Sequence, residues 1–369
     1  MAAIKLVAQV GRVPSMVVPL DEAQESRFEA LLPDLALVDM HQHTMVMPES
    51  VGDFVAYADS HDYTWGYDAA RAGRWSLVGI ACNMVGVAHV EEGSYLAFSD
   101  LVDEIALLRT DIARRADVEV VLRVEDAERA RSRGKLGVLL VAEHVALGDQ
   151  PYRVEVLYGL GVRLAGLTYT RKSPLGAGQN EDNDEGLTPL GRDVVRRMND
   201  VGMVIDLSHA GQRTALDTIE ASAAPVVFSH NASYTLRPTR RTRRDEELRA
   251  CAAKGGLICV TAVPNSLSDD PRQDINCVLD HYDYFLQVVG EDHVGIGTDS
   301  VVGDHVGFTR ALFLPPDAPP PPAPYLNGLE SPADGYNIIR GLLARGHSDK
   351  TIRKIAGENA LKLLGRVIG

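Results

Sequence analysis

Histidines and carboxylates that can bind a metal ion or move a proton stand at the ends of several apolar runs in this chain. In chain order they are His41, His43, Glu143, His209, His230 and Asp299. Side chains two residues apart in a strand share one face, so His41 and His43 can address the same ion. Four imidazoles with a carboxylate suit zinc or a similar borderline metal better than calcium or magnesium, which prefer oxygen ligands.

The elements that must position these residues are short runs rich in Val, Ile and Leu, separated by longer charged, amphipathic segments. The runs are Leu35–Val38, Leu77–Ala81, Leu136–Val141, Val162–Leu167, Gly202–Leu207, Pro225–Phe228, Gly256–Thr261 and His293–Gly297. Apolar strands alternating with helices, such as Gly191–Asp200 and Asp245–Lys254, are typical of a parallel sheet covered on both faces. Eight such units predict an α/β protein with a (β/α)8 TIM barrel, whose strand ends form one rim that holds the active site.

A structural role is the simpler interpretation of each of these residues by itself. A lone His-x-His pair, or His209 or His230 alone, is more often structural than metal-binding. Burying Glu143 or Asp299 without a partner is costly, however, and five strand ends carry such groups in barrel order. We therefore expect one metal site. No role is assigned to the other histidines, His61, His89, His144, His281, His293, His305 and His347.

Composition limits the classes of function. The 369 residues are 45% hydrophobic and 24% charged, with a net charge of −14, which indicates a folded protein and argues against a nucleic-acid or anionic-membrane partner. No apolar run reaches the length of a membrane span, and the N-terminus makes a poor signal peptide. Four cysteines without a CxxC pair predict neither a disulfide framework nor a thiolate zinc site. We expect a soluble, cytoplasmic protein.

The chain is predicted to form one domain over residues 1–369, with an N-terminal extension before the barrel and helices after it. Lys172–Gly186 is polar and Gly-rich, and indicates a long loop. The Pro-rich stretch at about 314–331 is interpreted as a structural crossing to the final helices. A linker, or a peptide ligand for another domain, is the alternative for this stretch.

Longer segments are typical of one family. Four of these segments are GLTPLGRDVVRRMNDVGMVIDLSHAG at 186–211, GVLLVAEH, APVVFSHNAS and VGIGTDS. They resemble the membrane dipeptidase (renal dipeptidase) family, peptidase family M19 of the amidohydrolase superfamily. The resemblance is clearest over 137–266 and from 292 to the C-terminus.

The resemblance implies two zinc ions bridged by Glu143. His41 and His43 would hold one ion, and His209 and His230 the other. Asp299 corresponds to the carboxylate that handles the proton of the attacking hydroxide, which bridges the ions. Arg241 aligns with the arginine that binds the substrate's C-terminal carboxylate. Four more arginines crowd the same stretch, at Arg237, Arg240, Arg243 and Arg244, so a solvated basic patch stays an alternative.

Three positions depart from the family pattern. His43 stands where the family has Asp, so the first metal motif loses one negative charge. Tyr169 stands where the family has a histidine near the scissile carbonyl, and its phenol is expected to bind substrate and to donate a hydrogen bond to the developing oxyanion. Thr242 replaces the Asn after the carboxylate-binding arginine.

The resulting hypothesis is a zinc-dependent dipeptidase that hydrolyses the amide bond of dipeptides or dipeptide-like small molecules, with a homodimer implied by the resemblance. Two alternatives stay open. One is an enzyme of the same superfamily that acts on another amide or a lactam. The other is a catalytically silent barrel that serves as a binding protein.

Overall fold

A computed structural model describes residues 4–13, 15–88, 97–313, 317–319, 321 and 323–369. His89 and parts of the Pro-rich stretch lie outside these residues. The described strands are β1 Val38–Val46, β2 Leu77–Ala81, β3 Val118–Val120, β4 Leu136–Ala142, β5 Val162–Gly166, β6 Val204–Asp206, β7 Val227–Asn231, β8 Leu257–Val260, β9 Val294–Ile296 and β10 Ser300–Val302.

The α-helices surround these strands. They are α1 Glu22–Leu31, α2 Phe54–Ser60, α3 Tyr67–Ala72, α4 Met84–Ala88, α5 Phe98–Ala113, α6 Val124–Ser132, α7 Arg153–Gly159, α8 Pro189–Val201, α9 Gln212–Ala221, α10 Asp245–Ala253, α11 Ile275–Val289, α12 His305–Phe313, α13 Tyr336–Ala344, α14 Asp349–Arg353 and α15 Asn359–Val367. A π-helical turn at Lys354–Glu358 joins the last two.

Eight of the strands close into a parallel barrel, which confirms the predicted (β/α)8 fold. Their order is β1-β2-β4-β5-β6-β7-β8-β9, and the pairing of Asp39 with Ile296 joins the last strand to the first. β3 pairs with the first residues of β4, Leu136–Val138, ahead of the residues that pair with β5, and β10 pairs with β1 beyond β9. Because all barrel strands are parallel, their C-terminal ends lie on one rim.

The barrel strands are apolar because they are buried on both faces. Every residue of β1, β2 and β4 is buried. Helices cover the outside, and side chains fill the inside. Gly297 lies just after β9, where an added Cβ would be 1.5 Å from the carbonyl oxygen of Ser229. Only glycine lets the chain come this close, and this approach carries Asp299 toward β7.

The structure agrees with most of the predicted elements and extends one of them. α8 and α10 occupy the two predicted helical segments, and 172–186 contains neither helix nor strand. The first strand, however, begins where the Leu35–Val38 run ends and continues to Val46, so His41 and His43 lie within it. β3 and β10 were not predicted, because three-residue strands leave almost no periodicity to detect.

The N-terminal extension packs against the C-terminal helices. The Arg340 guanidinium forms a bidentate pair with Glu25, at 2.8 Å for each bond, and its Nε donates to the carbonyl of Val18.

In the Pro-rich stretch, Ala323 and Leu326 are buried. The Asn265 side chain donates to the carbonyl of Ala323 and accepts from its N–H. Among the described residues, none of the helices is long and apolar enough to cross a membrane.

Candidate metal centre

The five predicted metal ligands and the predicted catalytic carboxylate Asp299 lie at the C-terminal rim of the barrel. His41 and His43 lie in β1, and His230 lies in β7. Glu143 follows β4 directly, His209 follows β6 by three residues, and Asp299 lies between β9 and β10. Each is buried, with at most 8% of its surface exposed. Barrel closure therefore brings together residues separated by more than 250 positions in sequence.

The first group of side chains faces the pair of histidines in β1. His43 Nε2 lies 3.1 Å from Asp299 Oδ1 and 3.9 Å from Glu143 Oε2. His41 Nε2 lies 3.7 Å from Asp299 Oδ1 and 3.8 Å from Glu143 Oε1. The ligand atoms of these four residues all lie within 4.8 Å of one another, which is compact enough for one ion.

The second group shares Glu143 with the first. His209 Nε2 lies 2.9 Å from Glu143 Oε1, and His230 Nε2 lies 3.9 Å from the same oxygen. The two Nε2 atoms are 3.1 Å apart. These three residues form a second set within 4.8 Å. Glu143 therefore stands between two histidine pairs, as a bridging carboxylate must.

The donor set fits a metal ion on the evidence of its unsatisfied nitrogen atoms. His41 Nε2 is buried and has no hydrogen-bond partner in the described part of the structure, although it faces two carboxylates. A buried polar atom without a partner is costly, and a metal ion would satisfy it. The His41 and His230 rings stack at 3.8 Å, which holds both nitrogen donors in place.

Burial sets the protonation states of these groups. It lowers the pKa of His41 to about 3 and the pKa values of His209 and His230 well below the usual range. Neutral imidazoles are the form that binds metal. Burial likewise raises the pKa of Glu143 to about 7, opposed by the nearby His43. At His43, burial is outweighed by Glu143 and Asp299, which raise its pKa to about 9.

Two buried aspartates, Asp39 and Asp206, help to orient His41 and His230, and the sequence analysis did not assign them a role. Ser229 Oγ donates to Asp206 and lies 2.7 Å from His230 Nδ1, so the ring can donate its Nδ1 proton to Ser229. Asp39 accepts from the backbone of His41 at 3.1 Å and of Thr298 at 2.9 Å. Charged residues inside apolar strands were the available signal.

Asp299 has an unusual backbone conformation. Its φ is +56°, in the left-handed region that non-glycine residues seldom adopt, and its N–H donates to the carbonyl of His41 at 2.8 Å. The nearby His230 and His43 overcome the effect of burial and hold the pKa of this carboxyl well below its usual range. Asp299 is therefore an ionised acceptor beside the histidine pair of β1.

Among the arginines of the loop after β7, Arg241 is the one that reaches this carboxylate. Its guanidinium lies 3.7 Å from Asp299 Oδ2, bonds the Ser208 carbonyl, and is one-fifth exposed. The others are engaged elsewhere: Arg237 with Asn265 and Asp269, Arg240 with Asn180 and Asp182, Arg243 with Ser208, Ala210 and Glu247, and Arg244 over the Tyr234 ring. The loop is therefore not simply a solvated basic patch.

Tyr169 and Thr242, two of the three departures from the family pattern, have different environments. The Tyr169 ring lies 4.5 Å from the His209 ring, and burial raises the pKa of its phenol well above its usual value, so the hydroxyl keeps its proton. The Thr242 hydroxyl instead bonds the carbonyls of Arg237 and Thr239. Thr242 therefore stabilises the arginine loop and does not face the metal centre.

Among the described residues, the histidines to which no role was assigned lie outside the two groups of side chains that could hold a metal ion. His144 is buried next to Glu143, but its Nδ1 accepts the Ala146 N–H, and burial lowers its pKa to about 4. His281 is satisfied by Ser233 and Leu267. His305 lines a small cavity that reaches Asp299. All four cysteines are free.

A parallel barrel with this cluster at its rim defines a metal-dependent (β/α)8 barrel protein. The chain belongs to the membrane dipeptidase family, peptidase family M19, whose family model matches residues 25–310. This confirms the family predicted from the sequence motifs.

Individual relatives cover most of the chain. Dipeptidase tcpJ of Claviceps purpurea (strain 20.1) is 29% identical over 278 residues, which are 74% of this chain and 61% of that protein. Dipeptidase 3 of Rattus norvegicus is 28% identical over 346 residues, which are 92% of this chain and 66% of that protein. The chain thus spans less than two thirds of either relative. The crystal structure of an amidohydrolase from Pseudomonas aeruginosa, 27% identical, superposes with a TM-score of 0.77 over 92% of this chain and 98% of that one.

Proposed function

We propose that this protein is a zinc-dependent dipeptidase that hydrolyses the amide bond of dipeptides or dipeptide-like small molecules. The observation that carries the proposal is the position of Glu143 between the His41–His43 and His209–His230 pairs, with Asp299 3.1 Å from His43. Membership of a peptidase family and the two dipeptidases among the relatives support the reaction class.

Two zinc ions are proposed, bridged by Glu143, with His41 and His43 on one and His209 and His230 on the other. When bound, zinc supplies a hydroxide nucleophile at neutral pH and polarises the scissile carbonyl. Imidazole nitrogens and a shared carboxylate are ligands that zinc accepts readily, which supports this choice of metal.

Three residues of the chain are assigned to substrate binding, proton transfer and oxyanion stabilisation. Arg241 orients the free carboxylate of the substrate, because a guanidinium can pair with it through two hydrogen bonds. Asp299, ionised and next to the histidine pair, accepts the proton of the nucleophile and then donates it to the leaving amine. The protonated phenol of Tyr169 donates a hydrogen bond to the oxyanion as negative charge develops there.

The test combines metal content with substrate scope. The purified protein is stripped with a chelator, reloaded with zinc, and assayed on a matched panel of L-L and L-D dipeptides. About two zinc ions per chain together with dipeptide cleavage would support the proposal. Failure to bind zinc would contradict it.

A second candidate is hydrolysis of another amide or of a lactam. Tyr169 favours it, because a phenol replaces an imidazole at the position expected to face the scissile bond. Zinc binding without cleavage of any dipeptide in the panel would favour this candidate. An N-acyl amino acid and a small lactam, added to the same panel, would then identify the bond type.

We also infer that residues 1–369 form one domain, that the protein is a homodimer, and that it acts in the cytoplasm. The packing of Arg340 on Glu25 supports one domain, and free cysteines suit a reducing compartment. The dimer rests on the family resemblance. A single unfolding transition and the mass of a dimer in light scattering are the expected results.

A further inference from the structure

His209 is the proposed metal ligand that lies farthest beyond the end of its strand. It follows β6 by three residues, whereas the other three histidine ligands lie within strands. Its Nδ1 is buried and has no hydrogen-bond partner in the described part of the structure. The ring packs against the rings of Tyr169 and His230, at 4.5 and 5.1 Å between centroids. Because no hydrogen bond at Nδ1 orients the ring, its position depends on these ring contacts and on the backbone that carries it.

The guanidinium of Arg243 bonds this backbone on both sides of His209. Nη2 donates to the Ser208 carbonyl and Nη1 donates to the Ala210 carbonyl, each at 2.7 Å. Arg241 and the Asn231 side chain also donate to the Ser208 carbonyl, the latter at 3.2 Å. Arg243 is thus the side chain that joins the two peptide groups flanking the ligand.

Arg243 is itself held rigidly. It is 2% exposed, its Nη1 also donates to the buried carboxylate of Glu247 at 3.0 Å, and its guanidinium lies 5.3 Å from the centre of the Phe228 ring in β7. A buried ion pair is weak evidence for a stabilising role, since apolar side chains of similar volume often give the same stability. The presence of Arg243 therefore calls for an explanation other than stability.

We propose that Arg243 is a positioning residue that fixes His209 for metal binding by holding the Ser208 and Ala210 carbonyls. His209 Nε2 lies 2.9 Å from Glu143 Oε1, so a small movement of this backbone would separate the two ligand atoms. A ligand that is already in place loses less conformational freedom when the metal binds. This inference rests on the proposed metal-dependent function, and it confines the effect of Arg243 to the ion held by His209 and His230.

The test is zinc titration of the chelator-stripped protein in competition with a chromophoric chelator, which resolves the two binding steps. His209→Ala identifies the step that depends on His209, because that step is lost. Arg243→Lys keeps the positive charge but replaces the planar fork with one ammonium, which cannot occupy the positions of both Nη atoms. It should weaken the same step by about 10- to 100-fold and change the other less than about threefold.

The matched control is Arg163→Lys at the opposite end of the barrel. Arg163 is the second residue of β5 and is 7% exposed. It donates to the carbonyls of Leu122, Tyr158 and Val162, and its guanidinium lies 3.8 Å from the centre of the Tyr158 ring. Arg163→Lys should lose a comparable set of backbone bonds and leave both zinc steps unchanged. Urea denaturation of the two variants compares their losses of stability.

A spectroscopic measurement separates positioning from stability. Cobalt(II), loaded in place of zinc, reports the geometry of its ligands through its visible absorption. Arg243→Lys should change the spectrum of the cobalt equivalent that His209→Ala removes, and Arg163→Lys should leave the spectrum as in wild type. If Arg243→Lys does not fold, Arg243→Met combined with Glu247→Leu takes its place, because it leaves no buried charge unpaired. The same loss in the same step is then expected.

The outcomes separate the two proposals. A wild-type protein that binds no zinc would overturn the proposed function and this inference with it. Zinc binding in the wild type with unchanged affinity in the Arg243 variant would overturn only the role of Arg243. So would a loss confined to the step that His209→Ala retains. Equal losses in Arg243→Lys and Arg163→Lys would show that the zinc affinity follows the stability of the barrel and not the position of His209.

Discussion

The Nε2 atoms of His209 and His230 lie only 3.1 Å apart in the interior of the barrel rim. Burial lowers the pKa values of both residues well below the usual range, so both rings are neutral near pH 7. Each neutral ring then has one nitrogen with a lone pair that needs a hydrogen-bond donor or a metal ion. A shared cation would satisfy both nitrogens, and Glu143, 2.9 Å from His209, would balance its charge.

Removal of metal should therefore destabilise the protein. Zinc that binds only the folded state, at a free concentration 100 times its Kd, stabilises it by about 2.7 kcal/mol. Differential scanning calorimetry of the stripped and the reloaded protein should show a Tm that rises with zinc concentration. Magnesium at the same concentration is the control, because it suits the nitrogen-rich site poorly. A Tm that does not respond to zinc would contradict the proposed centre.

Asp299→Asn should reduce kcat by about 10²- to 10⁴-fold, since an amide cannot accept the proton of the nucleophile. The measurement is kcat alongside zinc per chain, because Asp299 lies 3.1 Å from His43 and also contributes charge to the site. Asp304→Asn is the matched control: its carboxylate accepts the Gly307 N–H and should leave kcat unchanged. Full activity in Asp299→Asn would exclude the proposed proton transfer.

Arg241→Gln should raise KM for dipeptides far more than it changes kcat. Loss of a charge-assisted hydrogen bond costs about 1.5–3 kcal/mol, or roughly 10- to 100-fold in kcat/KM. The loss should be absent for a dipeptide whose C-terminus is amidated. Arg240→Gln, which removes a pairing with Asp182 on the neighbouring loop, should behave as wild type. Equal effects of the two variants would mean that the loop acts only through its total charge.

Ser229→Ala should weaken zinc binding by about 10- to 100-fold. The Ser229 hydroxyl connects His230 Nδ1 at 2.7 Å to the Asp206 carboxylate, and this connection leaves Nε2 free to bind metal. Chelator competition measures the affinity. Ser222→Ala, which removes a hydroxyl that bonds Ala224, is the control away from the site. Unchanged affinity in Ser229→Ala would show that ring stacking alone orients His230.

Asp334 should make the stability depend on pH. Burial, with help from Glu330, raises its pKa from 3.8 to about 6 in the folded protein. The folded state therefore holds the proton more tightly, and the contribution of Asp334 to stability falls as the pH rises from about 4 to about 6. Partial exposure limits this loss to about 2 kcal/mol.

Urea denaturation at pH 4 and pH 7 measures this effect of Asp334. The measured quantity is the free energy of unfolding of Asp334→Asn minus that of wild type. This difference should be more favourable to the variant at pH 7 than at pH 4. Asp68→Asn, on the exposed side of α3, controls for the loss of one charge. A stability difference between Asp334→Asn and wild type that is the same at both pH values would contradict the assignment.

The sequence by itself determined the barrel and the residues at its rim. Eight apolar runs separated by amphipathic segments predict eight buried parallel strands, because a parallel strand covered on both faces has no solvent-exposed side that would carry polar residues. Parallel strands end on one rim, so the order of His41, Glu143, His209, His230 and Asp299 in the chain already indicated one site. The ligand pairing implied by the family resemblance stays a prediction, although the distances around Glu143 agree with it.

Only the tertiary structure decided which neighbours these residues have. The sequence could not choose among five arginines in one loop, because the choice depends on the fold of that loop, which turns Arg241 toward Asp299 and Arg240 toward Asp182. Contacts between distant segments depend on strand register and barrel closure, and a single sequence does not encode these as a local signal.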